Sequence, residues 1–228
     1  MTLYHKKEQF QIIEDLQQCQ TTTGKIIIIR HAHRMELPLD ARQININITL
    51  QGEVDAEKLG AMLPLAYSLV LSYSGIIRTQ TTAECIANGF QKVGGVVQKP
   101  FAIQSQYGSY IHSNQIYQWG VISTFLKQWL TGTIPQEILD PPHKAAHKLL
   151  VMLLDTQKSN CHNPKEKEIY LHVGHDWDII ALQYAGLNFH PDIHPVDFLE
   201  GLILEKKETG IKMLRHGHCS SLLPEDFE

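Results

Sequence analysis

The sequence predicts an α/β fold with a doubly wound, mostly parallel central sheet, helices on both faces, a C-terminal hairpin and a small helical cap insertion. Two observations carry this expectation. Ile26 to Ile29 are four β-branched residues in succession, apolar at every position, which marks a central strand buried on both faces between helices. Strand-like and helix-like stretches then alternate along the chain, the pattern of an α/β sandwich. At 228 residues and 43% hydrophobic content the chain can fill one substantial core, so residues 1–228 read as a single domain. No repeat, linker or low-complexity segment interrupts it.

The elements follow in order. Thr49 is placed to cap a helix over "ITLQGEVDAEKLGAMLPLA", with Val54, Leu59, Met62 and Leu63 near one face. "LVLSYSG", Leu69 to Gly75, is a second strand, and a helix begins in "RTQTTAECIANGF", with Gly89 as its stop. "VVQKPFAI", Val96 to Ile103, is a third strand. Segment 104–167 holds two amphipathic helical stretches, "YQWGVISTFLKQWL" and "HKAAHKLLVMLLD", on either side of "PQEILDPP", and is expected to supply the substrate cap. "EIYLHVGH", Glu168 to His175, is another strand, followed by a helix over "DWDIIALQYAGL". "LEGLILEKKETGIKML" reads as two strands turning near Thr209 and Gly210.

Composition excludes several roles. The net charge of −4 and the lack of like-charge blocks argue against a nucleic-acid partner. No apolar run approaches the roughly 20 residues of a membrane helix. "MTLYHKKEQFQIIEDLQQ" shows no apolar signal core, so no membrane association and a cytoplasmic location are expected. Cys19, Cys85, Cys161 and Cys219 are scattered without metal spacing and read as reduced thiols.

In doubly wound sheets, ligands sit outside the carboxyl ends of the strands. Three strands here end in chemically capable residues: Ile29 runs into Arg30 and His31, Tyr73 towards Arg78, and Val173 into His175 and Asp176. Guanidinium groups from Arg30, Arg34 and Arg78 at one point call for an anion with several oxygens, and the arginine fork suits phosphate. A histidine among those cations is kept neutral by like charge and can act as a nucleophile. A leaving alkoxide needs a proton, for which Asp176 is the nearest carboxyl in sequence. His33 reads as a bystander, Asp178 as a second acid facing elsewhere, and Glu84 as a solvated or helix-pairing charge. His143 and His147 stand at i and i+4, but no Glu follows His143 as in the zinc-protease pattern; neither a metal nor a cofactor is expected. His112, His162, His190 and His194 form no ligand pattern, and Trp119 and Trp129 read as packing residues.

These motifs resemble the histidine phosphatase superfamily. Arg30–His31–Ala32 is similar to that family's Arg-His-Gly signature, whose histidine is transiently phosphorylated. "ITLQGEVDAEKLG" resembles its Leu-Thr-x-x-Gly helix start, and "SGIIRTQTTAE" resembles the Ser-x-x-x-Arg-x-x-x-Thr-Ala element whose arginine, here Arg78, binds phosphate. The likeness covers residues 25–90 well and 168–215 in outline. Arg34 and the His175–Asp176 pair match the acid phosphatase and phytase branch, in which the Asp donates the proton. The mutase-like branch takes its acid from a Glu after the third strand, and "PFAIQSQYGSYIHSNQIYQWG" holds no acidic residue. The resemblance implies a metal-independent phosphomonoesterase with His31 as nucleophile, Asp176 as acid, and Arg30, Arg34, Arg78 and His175 binding phosphate. The partner would be a phosphorylated small molecule such as a sugar, inositol or nucleotide phosphate. A phosphoglycerate-mutase-like phosphotransferase and a pseudophosphatase that only binds phosphorylated ligands are the alternatives.

Arg215–His216–Gly217–His218 is nearer the signature in letters than Arg30–His31–Ala32. Only ten residues follow it, too few and of the wrong kind for the next helix, so it reads as a charged tail after a last edge strand.

Overall fold

The computed structural model describes residues 10–19, 25–35, 46–103, 122–160, 168–187, 196–207 and 210–222. Among these, strands β1 (Lys25–Arg30), β2 (Ser68–Tyr73), β3 (Val96–Val97), β4 (Phe101–Ala102), β5 (Glu168–Gly174), β6 (Gly201–Lys207), β7 (Gly210–Arg215) and β8 (His218–Leu222) form one sheet. The order is β3-β2-β5-β1-β6-β7-β8, with β4 also on β2. β1 to β5 are parallel where they pair, and β6, β7 and β8 add on antiparallel. The helices are α1 (Gln11–Gln18), α2 (Leu50–Met62), α3 (Ile77–Lys92), α4 (Ile122–Leu130), α5 (Pro142–Asn160) and α6 (Asp176–Gly186).

Strand pleating splits the isoleucine run between two cores. Ile26 and Ile28 join Val70, Tyr170, Leu202 and Leu204 under α4, α5 and α6. Ile27 and Ile29 join Leu69, Leu71, Ile169, Leu171 and Ile203 under α1, α2 and α3. β1 is therefore dry on both faces, as its composition requires. Phe125 and Trp129 of α4, and Ala145, Ala146, Leu149 and Leu153 of α5, lie in the first core. These helices, from the segment expected to cap the site, thus cover the sheet itself. Residues 104–121, with His112 and Trp119, lie outside the described residues, as do Cys161, His162, His190 and His194.

Several sequence expectations need correction. The third strand is two short pieces, because Pro100 has no N–H for the ladder. Leu59 and Leu63 of the expected α2 face are buried, but Val54 is 54% and Met62 38% exposed. The buried face instead carries Gly52, Asp55, Ala56, Leu59 and Gly60. Gly89 does not end α3, which continues to Lys92. The C-terminal hairpin continues into a third strand, since "HCSSL" is β8, so β7 is no edge and His218–Leu222 are not a tail. Arg215–His216–Gly217–His218 is the two-residue turn between β7 and β8. His216 (φ 50) and Gly217 (φ 73) are both left-handed, as a type I′ turn demands. Asp15 of α1 accepts the N–H groups of His216 and Gly217, each at 2.9 Å, and so fastens α1 to that turn.

Small residues let α2 and α3 cross closely. A Cβ on Gly89 would lie 1.9 Å from Glu57 O, and one on Gly60 would lie 2.1 Å from Ile86 O. In a helix, Gly to Ala ordinarily gains about 1 kcal/mol. Here both obstacles are backbone, so the helices must part. Gly89→Ala is expected to destabilise the fold by about 1–3 kcal/mol, read as a lower urea midpoint at unchanged slope. A midpoint at or above that of the unaltered chain would mean the crossing is loose.

Candidate active site

β2, β5 and β1 are adjacent and parallel, so their carboxyl ends meet at one edge of the sheet. The backbone there is tied down before any side chain is considered. His31 N donates to Gly174 O (3.0 Å) and Ser74 N to Val173 O (3.2 Å). Ala32 N donates to Thr82 Oγ1 (3.0 Å), whose own hydroxyl donates to Arg78 O (2.7 Å), which ties the turn after β1 to α3. Ala32 is not among the left-handed residues and is fully buried, so its methyl group fits at this turn. Arg34 bridges Ile48, and Thr49 caps α2 by accepting Gly52 N–H at 3.1 Å.

His31 is 3% exposed. Its Nδ1 lies 2.8 Å from Ala32 O. A carbonyl can only accept, so Nδ1 carries the proton and Nε2 keeps the lone pair. Burial holds the ring well below its ordinary pKa, and His175, Arg78 and Arg30 push it further down. A neutral ring with a defined lone pair is the form a nucleophile needs.

The arginines are held largely by neutral groups. Arg30 Nη1 donates to Val196 O (2.6 Å), and its guanidinium lies 4.2 Å above the Phe198 ring. Arg30 Nη2 is 3.4 Å from Asp176 Oδ2. Arg34 Nη1 donates to Met35 O at 3.0 Å. Among the described residues, Arg30 Nε and Arg34 Nε are buried donors with no hydrogen-bond partner. Burial, then Arg34 and Arg30, pulls Arg78 down to about 10, so the three cations share one field.

His175 stands edge-on to His31, with 5.4 Å between ring centroids. Arg78 Nη2 donates towards its Nδ1 at 3.4 Å, so Nε2–H donates to Ser74 Oγ at 3.1 Å. Ser74 in turn meets Thr79 Oγ1 at 3.1 Å, which donates to Ile76 O at 2.7 Å. The chain fixes the tautomer of His175, and both of its nitrogens are engaged by protein groups.

Asp176 is the first residue of α6, and its side chain is 28% exposed at the rim of the cluster. The capping work falls to Asp178, whose Oδ2 accepts His175 N–H at 2.8 Å. Asp178 is 3% exposed, unsuited to meet a leaving group. Every site residue expected from the sequence therefore lies at this edge. His33 bonds Thr49 Oγ1 at 3.0 Å and packs against Phe198. His143 and His147 are on the solvent side of α5, and among the described residues no group of three or more His, Cys, Asp or Glu could hold a metal. Glu84 is exposed and bonds Gln80, and Trp129 is a core residue donating to Asp140 O.

Sequence reasoning missed Ser74, Thr79, Phe198 and the Val196 carbonyl. Ser74 was within reach, standing four residues before Arg78 at a strand end. Phe198 follows no motif.

Burial pushes the Asp178 carboxyl up to about 7, with Asp176 adding to the rise and His175 N–H opposing it. Between about pH 4 and 7 the unfolded chain has released a proton that the folded chain keeps. Stability from this group is therefore full at low pH and falls as pH rises through that window. Asp178→Asn keeps an acceptor for His175 N–H and loses the charge. It should raise stability above pH 7 by at most about 4 kcal/mol and change little at pH 4. A constant Tm difference across that range would remove burial of this carboxyl as the cause.

Neither a protein-family model nor a curated protein matches the chain. Among solved structures, Bacillus stearothermophilus YhfR matches with a TM-score of 0.58 and 16% identity, over 90% of this chain and 99% of that one. Entamoeba histolytica phosphoserine phosphatase matches at 0.48 and 17%, over 89% and 97%. A mycobacterial glucosyl-3-phosphoglycerate phosphatase matches at 0.47 and 13%, over 80% and 90%. At such identities likeness is a matter of fold, and the chain shares that of YhfR.

Proposed function

We propose that the chain is a phosphomonoesterase that works through a phosphohistidine on His31. The observation that carries this reading is a neutral His31, its Nε2 lone pair retained, in the combined field of Arg30, Arg34 and Arg78, with the buried Nε–H groups of Arg30 and Arg34 left to be bonded among the described residues. A tetrahedral phosphoryl group offers the oxygens those donors lack.

The steps follow from the atoms present. Arg30, Arg34 and Arg78 hold the phosphoryl oxygens and offset their charge. Burial first, and then Arg78 and Arg30, keep His175 unprotonated, and an anion there opposes the part that the arginines contribute. His175 Nδ1 can then take a proton and exchange Arg78 for a phosphoryl oxygen. His31 Nε2 attacks phosphorus in line, and the bond to the ester oxygen breaks. The imidazole becomes cationic, and Ala32 O stabilises it through Nδ1–H. Asp176 gives its proton to the departing oxygen. Water then attacks phosphorus, the P–N bond breaks, and the water's proton goes to Asp176. His31 returns neutral. The partner is a phosphorylated small molecule, and segment 104–167 is the proposed source of its specificity.

The two Arg-His strings separate in one experiment. His31→Ala should abolish phosphate release from an aryl phosphate, while His216→Ala, in a hairpin turn with its side chain 36% exposed, should leave it nearly intact. The reverse result would reject the assignment. Phosphate binding by an unaltered chain that shows no turnover would instead identify a pseudophosphatase.

Asp176→Asn should affect substrates unequally. It removes the proton donor and keeps the clamp. An alkyl ester needs its leaving oxygen protonated and should lose about 10²–10⁴-fold. A nitrophenyl ester leaves as a stable anion, so its first step survives and the second slows. Rapid quench should then show a product burst and an acid-labile phosphoenzyme. Equal losses without a trapped intermediate would take the acid role from Asp176.

A further inference from the structure

The proposed chemistry leaves the second Arg-His string unused, yet a chain of contacts runs from it to Arg30. Residues 197–200 form a tight turn, in which Glu200 N donates to Asp197 O at 3.1 Å. Its third residue, Leu199, has φ 61, a left-handed position that type II turns ordinarily give to glycine or asparagine. A leucine there is strained and persists only where its surroundings over-determine it. The backbone contributes, since Leu199 N donates to Arg30 O (3.1 Å) and Arg30 N to Glu200 O (2.8 Å).

The Glu200 carboxylate closes the turn from the other side. Its Oε2 accepts Asp197 N–H at 3.1 Å and lies 3.3 Å from Arg215 Nη2. The Arg215 side chain is 0% exposed and the Glu200 side chain 18%, so this pair is shielded from solvent. Arg215 in turn sits on β7, at the start of the turn that Asp15 holds by its N–H groups. His216 Nε2, at 3.8 Å and with its side chain 36% exposed, adds little. The turn so fixed carries Phe198 and directly follows Val196, and these supply the ring face and the carbonyl that hold the Arg30 guanidinium. Phe198 also packs on His31 at 5.6 Å between ring centroids.

We propose that Glu200, anchored by Arg215, is a positioning residue that holds Arg30 in the phosphate clamp by fixing the Asp197–Glu200 turn. The proposal rests on the reading of Arg30 and His31 given above. Arg30 has a long flexible stem and is repelled by the other arginines. Released from Val196 and Phe198, it would swing away from the position the phosphoryl group requires, and misplacement by about 1 Å costs on the order of 10²-fold. The string Arg215–His216 thus serves the first string through its arginine, without touching substrate.

The test uses the full chain, inorganic phosphate as the calorimetric probe and an aryl phosphate as substrate, with Tm recorded for each variant. Glu200→Ala should weaken phosphate binding and lower kcat/KM, each by about 10- to 100-fold. Glu200→Gln, which keeps an oxygen for Asp197 N–H, should lose less. In an Arg30→Ala background, Glu200→Ala should have almost no further effect on phosphate binding, because the group it positions is gone. A general structural role would multiply the losses instead, and that result overturns the proposal. So does a folded Glu200→Ala that binds phosphate as the unaltered chain does. Should Glu200→Ala fail to fold, the Gln variant decides, and unchanged affinity and turnover in it reject the relay. An unaltered chain that neither binds phosphate nor hydrolyses the ester rejects the phosphatase reading and the proposal with it. An active unaltered chain with an indifferent Glu200 rejects the relay alone.

Discussion

Gathering three guanidinium groups at one sheet edge is the constraint on which the site depends. Each loses water on burial and each repels the others, an expense visible in Arg78, whose pKa falls to about 10. A set of bound carboxylates would relieve the strain but would also occupy the clamp. The named partners are instead neutral apart from Asp176: the Val196 and Met35 carbonyls, the Phe198 face and the His175 ring. Such groups orient a guanidinium while leaving most of its charge for an incoming anion. Burial, then His175, Arg78 and Arg30, keep His31 unprotonated, so on the proposed reading the cluster that binds the anion also prepares the nucleophile.

The sheet supplies rigidity for this arrangement. β1 is paired on both sides and buried on both faces, and His31 follows it directly. α3 and α6 begin at the same edge, bringing Arg78 and Asp176 in their first turns. A side chain set on a strand end or in a first helical turn has little backbone freedom, which suits the placement that the proposed chemistry requires.

The parts of this design legible from sequence were those with a compositional mark. Four isoleucines followed by Arg-His announce both a buried strand and its chemical end, and Arg78 and His175–Asp176 follow strands of similar kind. What escaped had no such mark. The Val196 carbonyl is backbone, so no residue type advertises it. Phe198 meets Arg30 from a turn whose next residue, Leu199, adopts a conformation that leucine seldom shows. Gly89 looks like a helix stop because glycine disfavours helix, but here it lets two backbones touch. "HCSSL" carries no strand signal in sequence because its pattern is largely exposed and polar, as an edge strand tolerates. Arg215–His216–Gly217–His218 shows that like letters need not mean like roles, since both central residues serve a left-handed turn.

The pairing of β1 also bears on how the chain is made. It is the first strand among the described residues, yet its neighbours are β5 and β6, whose residues begin at Glu168 and Gly201. During synthesis from the N-terminus, the stretch Ile26 to Ile29 must wait for well over a hundred further residues before either edge can be satisfied. Until then it is an unpaired, wholly apolar β-forming segment, the kind that seeks strands on other chains. Early closure is confined to local pieces such as the crossing of α2 with α3. The strand that makes the finished sheet firm is thus the one most exposed to aggregation while the protein is incomplete.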